Sequence, residues 1–185
     1  MAYNIKDVFY LSTSATVTAS GTDSQMGSSQ LDLSAYIDPI ARGRTKGTGL
    51  AVYKVHWSIA SDSGSPVLPA EDGILTCSLQ AGLGVGDNAT GSAFNMTTGL
   101  LNTNALNVSA GSYYGPSSVP EVDGIVPYLD PSTEVPYVIV RDNVCLVYKT
   151  AEGFTADAIL SVRIECAQIS LDQATLNQLL RTQTV

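Results

Sequence analysis

Alternation of apolar and polar side chains with a period of two is the feature that most limits what this chain can fold into. From Leu50 to Ile59 one predicted face carries Tyr53, Val55, Trp57 and Ile59, and the other carries Lys54, His56 and Ser58. The same alternation runs from Ala158 to Cys166. Because successive side chains of a strand point to opposite faces of its sheet, both segments are predicted to be half-buried strands.

Further segments follow the same logic and predict an all-β fold. They are 8–12, 16–20, 30–37, 74–79, 105–109, 136–141 and 144–149. Asp142 and Asn143 separate the last two and predict a tight hairpin turn, because both residue types tolerate positive φ. About eight to ten short strands divided by Gly, Pro, Ser and Asn clusters are typical of a sandwich, a jelly roll or a barrel.

The region 82–118 breaks the alternation. It consists mostly of Gly, Ser, Thr, Asn and Ala, and Tyr113 and Tyr114 lie near its end. We interpret it as long surface loops that hold one or two strands, where recognition residues are often found. The paired tyrosines are suited to stacking on a sugar, to contacting a partner, or to packing on their own domain, and the sequence leaves these alternatives open.

A short helix is predicted at 170–182. Ser170 and Gln173 have the spacing of a capping box, and Leu176, Leu179 and Leu180 follow at helical spacing. The resulting apolar stripe would fold back onto a lone domain, whereas in an assembly it would be free to dock on a neighbour. We therefore take the three leucines, with Tyr113 and Tyr114, as candidate subunit contacts within a single domain spanning 1–185.

Composition excludes several classes of protein. With 9 basic and 17 acidic side chains among 185 residues the formal net charge is -8, so nucleic acid is not expected as the main partner. The N-terminal residues lack the apolar segment of a secretory signal, and no apolar run approaches the roughly 20 residues that span a bilayer. Cys77, Cys145 and Cys166 lie in apolar, strand-like runs and are expected to be buried free thiols.

No catalytic or metal site is predicted. His56 is the only histidine, and its polar neighbours indicate a surface side chain. The glycines from Gly82 to Gly86 lack the lysine and the following helix of a phosphate loop, so we interpret them as a turn. The acids Asp62, Asp72 and Asp87 do not form a calcium-binding array. Three glycosylation sequons, at Asn88, Asn95 and Asn107, are attributed to chance. We expect neither an enzyme nor a cofactor.

The chain resembles the smaller major capsid protein of sphaerolipovirus-like viruses, the icosahedral, internal-membrane viruses of halophilic archaea. The resemblance is carried by the opening residues 1–11 (MAYNIKDVFYL), the central segment 52–58 (VYKVHWS), the strand 159–165 (ILSVRIE) and the polar tail to Val185. It covers most of the chain in length and layout. The acid content is lower than is usual in strongly halophilic proteins, and in this respect the chain departs from the pattern.

The resemblance implies a single jelly roll of about eight strands that stands upright on a capsid surface. It also implies partners: copies of the chain itself and a second, related major capsid protein, with vertex proteins and the underlying viral membrane as further neighbours. The expected location is the virion, after synthesis in the host cytoplasm. The alternative is a carbohydrate-binding β-sandwich of a fibre or adhesin, and its basis is Tyr113, Tyr114 and the Asn-rich loops.

Overall fold

The structure is a computed structural model that describes residues 7–20, 23–38, 46–61, 73–81, 107–115, 124–151, 154 and 156–183. Nine strands and one helix occur in these residues. The strands are β1 Phe9–Val17, β2 Met26–Asp32, β3 Lys46–Ser61, β4 Gly73–Ala81, β5 Asn107–Gly115, β6 Val126–Leu129, β7 Tyr137–Ile139, β8 Asn143–Thr150 and β9 Ala158–Asp172, and the helix is α1 Gln173–Thr182. The predicted all-β fold with a short C-terminal helix is confirmed.

The strands form two antiparallel sheets. The four-stranded sheet has the order β1-β9-β3-β7, and the five-stranded sheet has the order β2-β8-β4-β5-β6. When β6 is set aside, the chain passes between the sheets in the order of two Greek keys, which defines a jelly roll. The fold that the resemblance implies is therefore present, with β6 added at the edge of one sheet.

The core lies between the two sheets and explains the alternation in the sequence. Val55 of β3 and Leu160, Val162 and Ile164 of β9 face Leu75, Leu79 and Leu146 of the opposite sheet, and all are at most 4% exposed. Removing apolar side chains from water contributes roughly 25 cal/mol per Å² of buried surface. Because one face of each strand is committed to this core, a register slip of one residue would turn apolar side chains outward.

The face predicted for Tyr53 is wrong, because β3 contains a β-bulge. Val52 pairs with Cys166 and Lys54 with Glu165, so Tyr53 has no counterpart in β9. The extra residue moves Tyr53 onto the outer face of the sheet, where it packs with Ala51 and Ala167, while Val55 continues in the core. A bulge of this kind interrupts period-two alternation without interrupting the strand.

The hairpin predicted at Asp142 and Asn143 is also wrong. β7 belongs to the four-stranded sheet and β8 to the five-stranded sheet, so this connection crosses between the sheets. The Asp142 carbonyl accepts a hydrogen bond from the Leu33 N–H at 2.7 Å, which ties the crossing to the end of β2. The predicted strands 8–12 and 16–20 are one continuous strand, β1, and the predicted strand 30–37 ends at Asp32.

The sandwich has two distinct lateral sides. On one side β1 contacts β2, with the Thr13 and Ser29 hydroxyls 2.9 Å apart. On the other side β3 contacts β5, and β7 and β6 lie beyond them at the edges of their sheets. The β1/β2 side and the β6/β7 side are therefore opposite each other.

Candidate subunit-contact surfaces

The C-terminal helix folds back onto its own domain. Asp172 is its N-cap and accepts a hydrogen bond from the Thr175 N–H at 2.7 Å. This corrects the predicted cap at Ser170, which instead lies within β9 and pairs with Thr48 of β3. The hydrogen bonds at Asp172 hold the pKa of its carboxyl below its usual range, because they stabilise the charged form.

The apolar stripe of α1 is used within the chain. Leu176 is fully buried and forms a small cluster with Val140 and Leu171, and Leu179 and Leu180 pack against that cluster while half-buried. A Cβ placed on Gly47 would lie 2.6 Å from a methyl carbon of Leu176, so the glycine makes room for the helix. The three leucines are brought together as predicted, but the Leu176 side chain is not available to a neighbour in this conformation.

Gln183, directly after the helix, closes the outer edge of β7. Its amide nitrogen donates to the Val138 carbonyl at 2.5 Å, and its amide oxygen accepts from the Val140 N–H at 3.1 Å. Gln183 is 4% exposed. A side-chain amide thus pairs with backbone groups that an edge strand would otherwise leave open to another strand.

The paired tyrosines lie in a strand, β5, and not in a loop. Tyr113 is 2% exposed and belongs to the main core, with the ring of Phe154 6.3 Å away between centroids. It therefore offers no surface to a sugar or a subunit in this conformation. Tyr114 pairs with Ile74 of β4 in the backbone register, and its side chain lies outside the described part of the structure, as do residues 82–106 and 116–118.

The strand β6 presents apolar side chains to solvent, and the sequence analysis missed it. Val126 is 59% exposed, Tyr128 57% and Leu129 43%, and Val135 in the following turn is 74% exposed. We call these four residues the β6 patch. The strand gives no alternating pattern because all four of its residues are exposed. The available signal was the unbroken apolar run from Ile125 to Leu129.

The segment that carries the patch is held in place from several directions. Ile125 is buried in the core directly before β6, and Gly111 of β5 allows close approach, because a Cβ there would lie 2.7 Å from Ile125 Cγ2 and 3.0 Å from the Val126 carbonyl oxygen. The Ser109 hydroxyl donates to the Leu129 carbonyl at 2.9 Å and accepts from the Trp57 indole N–H at 3.0 Å. The side chains of β6 are therefore exposed although packing and hydrogen bonds hold the strand itself in place.

The outer face of the four-stranded sheet carries a second group of surface residues. The Arg163 guanidinium lies over the exposed ring of Tyr10, 5.2 Å from its centroid. Beside it, His56 Nε2 lies 2.6 Å from Glu165 Oε1, and the partly exposed histidine confirms the surface position predicted for it. Lys54 is exposed on the same face. The rest of this face in β1 is Ser12, Ser14 and Thr16, all short and exposed.

The three cysteines are buried free thiols, as predicted. Burial raises the pKa of Cys145 to about 11 and that of Cys166 to about 12, and it raises the pKa of Cys77 further. Asn107 of the third sequon is 7% exposed and accepts hydrogen bonds from Ser78 and Gln80 within the sheet, so it is not presented for glycosylation. Asn88, Asn95, Asp62, Asp72 and Asp87 lie outside the described residues.

Within the described ranges, no group of three or more His, Cys, Asp or Glu side chains is arranged to hold a metal ion. The helix found there is also too short and too polar to cross a bilayer.

The sequence matches no family model and no curated protein. The fold is similar to that of the VP1 protein of Washington University polyomavirus, in a point mutant solved as an unassembled pentamer, with a TM-score of 0.51 and 7% identity over 93% of this chain and 97% of that one. VP1 of Trichodysplasia spinulosa-associated polyomavirus in complex with GM1 oligosaccharide gives a TM-score of 0.44 and 8% identity over 91% and 97% of the two chains. At 7% identity the likeness to the first structure shows a shared jelly-roll fold.

Proposed function

We propose that this chain is a structural subunit of a virus capsid. The observation that carries the proposal is the fold: the described strands form a jelly roll, and the fold is similar to that of a capsid VP1 subunit over 93% of this chain and 97% of that one.

The low content of charged residues and the state of the sheet edges support this role. Only 14% of residues are charged, and few charges at contacts reduce the cost of removing water from them when subunits pack. Gln183 closes one sheet edge, whereas β6 leaves apolar side chains in solvent at another. Open apolar surface beside closed edges suits a chain that associates through chosen contacts.

The finer proposal follows the resemblance in the sequence. We propose that the chain is the smaller major capsid protein of a sphaerolipovirus-like virus, that it assembles with copies of itself and with a second, related capsid protein, and that vertex proteins and the viral membrane are its further neighbours. Its location would be the virion, after synthesis in the host cytoplasm. A net charge of -8 would favour assembly at high salt, which screens repulsion between acidic copies.

The carbohydrate-binding alternative loses one of its two aromatic residues. Tyr113 is a core side chain, so a sugar platform built on the tyrosine pair would need Tyr114 alone or residues elsewhere. No other described feature favours this function over a capsid role.

Electron microscopy of the purified chain tests the capsid proposal. The chain would be imaged alone and with candidate coat proteins across a salt series, with light scattering followed in parallel. We expect rings, sheets or shells, most abundant at high salt. A chain that stays monomeric across the whole series, with and without candidate partners, would contradict the proposal.

A further inference from the structure

We propose that the chain between β4 and β5, residues 82–106, docks on the outer face of the five-stranded sheet and buries part of it. The inference concerns a docking surface within the chain and the segment that occupies it. It does not depend on the capsid function, and its tests do not involve assembly.

The strand register identifies the outer face of the five-stranded sheet. Residues directly opposite each other in antiparallel strands lie on the same face. Leu79 of β4 pairs with Leu146 of β8, and both belong to the core between the sheets. The alternate positions of these strands therefore point away from that core. They form three rows across β4, β5 and β8, which are Gln80, Asn107 and Cys145, then Ser78, Ala110 and Val147, then Thr76, Ser112 and Lys149.

The first two rows are buried although they point away from the core. Five of their six residues are 0% exposed, and Asn107 is 7% exposed. The third row is only partly buried, and Gln30 of the edge strand β2, which pairs with Cys145, is exposed. Water is therefore excluded from one end of β8, β4 and β5 and not from the whole face.

The described elements do not account for this burial. The exposures are those of a single chain, so no second copy is needed to explain them. Within the described residues, α1 contacts β9 and β3 of the other sheet, and every strand is part of one of the two sheets. We therefore infer that a part of this chain outside those elements covers the two rows.

The position of the buried rows indicates which part of the chain covers them. β4 ends at Ala81 and β5 begins at Asn107, so residues 82–106 leave and return at the end of the sheet that holds these rows. The segments 62–72 and 116–123 join the same two strands at the opposite end, beside the partly exposed third row. The 25 residues of 82–106 also far exceed the roughly two to five that connect neighbouring antiparallel strands.

The composition of the segment fits this face. Asp87 is its one charged residue, and its large apolar residues are Leu83, Val85, Phe94, Met96, Leu100, Leu101 and Leu106. The two buried rows carry no charged side chain, so the segment can pack on them without burying an unpaired charge. Gln80 Oε1 is buried and has no hydrogen-bond partner among the described residues. The Asn, Thr and Ser side chains of the segment are suitable donors for it.

The docked segment would make the outer faces of the two sheets differ. The face of the four-stranded sheet leaves Tyr10 and Lys54 in solvent. At the buried rows of the five-stranded sheet, a neighbour would meet residues 82–106 and not the sheet itself.

The three cysteines provide a test with internal controls. Cys145 lies on the outer face, whereas Cys77 and Cys166 belong to the core between the sheets. The full chain is labelled with N-ethylmaleimide under native conditions, and mass spectrometry of its peptides gives the rate at each cysteine. The test variant combines Phe94→Ser, Met96→Ser, Leu100→Ser and Leu101→Ser, and the control variant combines Asn88→Ser, Asn95→Ser, Asn102→Ser and Asn104→Ser.

We expect Cys145 to be labelled slowly in the wild type and the control. Burial raises its pKa to about 11. An exposed thiol has a pKa of about 8.5, and only the thiolate reacts, so labelling in the test variant should be about a hundredfold faster or more. Cys77 and Cys166 should stay slow in all three proteins. Equal rates at Cys145 in the wild type and the test variant, or rapid labelling in the wild type, would overturn the proposal.

Photo-cross-linking tests the wild-type packing and decides the question if the test variant unfolds and all three cysteines react. Photo-methionine replaces the natural methionines, of which Met96 lies in the segment. We expect cross-links from position 96 to peptides of β4, β5 or β8 of the same chain. Mixing chains of two isotopic compositions separates these from cross-links between copies. Cross-links only between copies, or none to these three strands, would contradict the proposal.

Discussion

The edge strands β6 and β7, on the same lateral side of the sandwich, differ in how their exposed groups are covered. At β7, α1 buries its leucines against the domain and Gln183 pairs with the free backbone groups of the strand. At β6, apolar side chains are left in solvent, and Pro127 removes one backbone donor from the strand. The apolar helix that the sequence singled out as a contact is used internally, whereas the apolar surface available for contacts is on a strand that the sequence did not reveal.

The largest effect on the free energy of unfolding is expected at Leu176, and its absence would contradict the contrast between the two edges. Because the side chain is fully buried between α1 and the sheet, Leu176→Ala should lower the free energy of unfolding by about 2–5 kcal/mol through lost burial and a cavity. Urea denaturation followed by circular dichroism measures the change. Gln178→Ala on the exposed face of α1 is the control. A loss below half a kcal/mol would mean that the helix is not docked as described.

The close contact of Gly47 with Leu176 gives a sharper version of that test. Gly47→Ala alone should destabilise the protein by about 1–3 kcal/mol, because the added Cβ would lie 2.6 Å from Leu176. In the double variant with Leu176→Ala the two losses should add to less than their sum, since the smaller side chain removes the clash. Strict additivity, measured by the same urea denaturation, would contradict the contact.

On the β6 edge, Gly111→Ala tests whether the close packing between β5 and β6 holds β6 in place. The added Cβ would meet Ile125 and the Val126 carbonyl, so we expect a loss of about 1–3 kcal/mol and faster amide hydrogen exchange in β6. The β7 edge should keep the exchange rates of the wild type. Faster exchange at both edges alike would show that the two regions are not independent.

The hydrogen bonds of the Gln183 side chain can be removed with little change in the size of that side chain. Gln183→Met leaves the Val138 carbonyl and the Val140 N–H without their partner, and an unsatisfied buried group costs about 1–3 kcal/mol. We expect thermal unfolding at lower temperature and faster exchange of the Val140 amide. Thr182→Ala, at the neighbouring exposed position, is the control for a general effect on the end of the helix.

The smallest effect concerns the N-cap and depends on pH. The folded-state pKa of Asp172 is lowered, so its ionised carboxylate stabilises the folded state above the pKa of the unfolded chain, and this contribution is lost as the pH falls through the folded-state pKa. Asp172→Ala should therefore lower the unfolding temperature at pH 7 and make progressively less difference in strongly acidic solution. A difference independent of pH would mean that the carboxylate does not act as the cap.

Regular alternation is the part of this fold that the sequence predicted well. The part of β9 from Ala158 to Cys166 and most of β3 place their apolar residues in one core, and the buried thiols follow from the same pattern. Tyr53 could not be placed, because a bulge depends on the partner strand and not on the local sequence. The helix cap shifted from Ser170 to Asp172 because pairing with β3 extends β9 through residue 172.

The contact surfaces were harder to predict, for a related reason. β6 is exposed on both faces, so no periodicity marks it, and its position depends on Gly111 and Ile125, which are distant from one another in the sequence. The assignment of β7 and β8 to different sheets also depends on contacts far apart in the chain, which explains why Asp142 and Asn143 resembled a hairpin. Both features depend on contacts between residues that are far apart in the sequence, and a local sequence pattern does not show such contacts.

The position of β9 has a consequence for how the protein is made. It pairs with β1 on one side and β3 on the other, yet it is the last of the described strands in chain order. A growing chain therefore cannot complete the four-stranded sheet from β1 and β3, because β9, which lies between them, is synthesised after both. We expect this sheet to form slowly and to wait for β9, with β1 and β3 exposed until then, as is typical of folds dominated by non-local pairing.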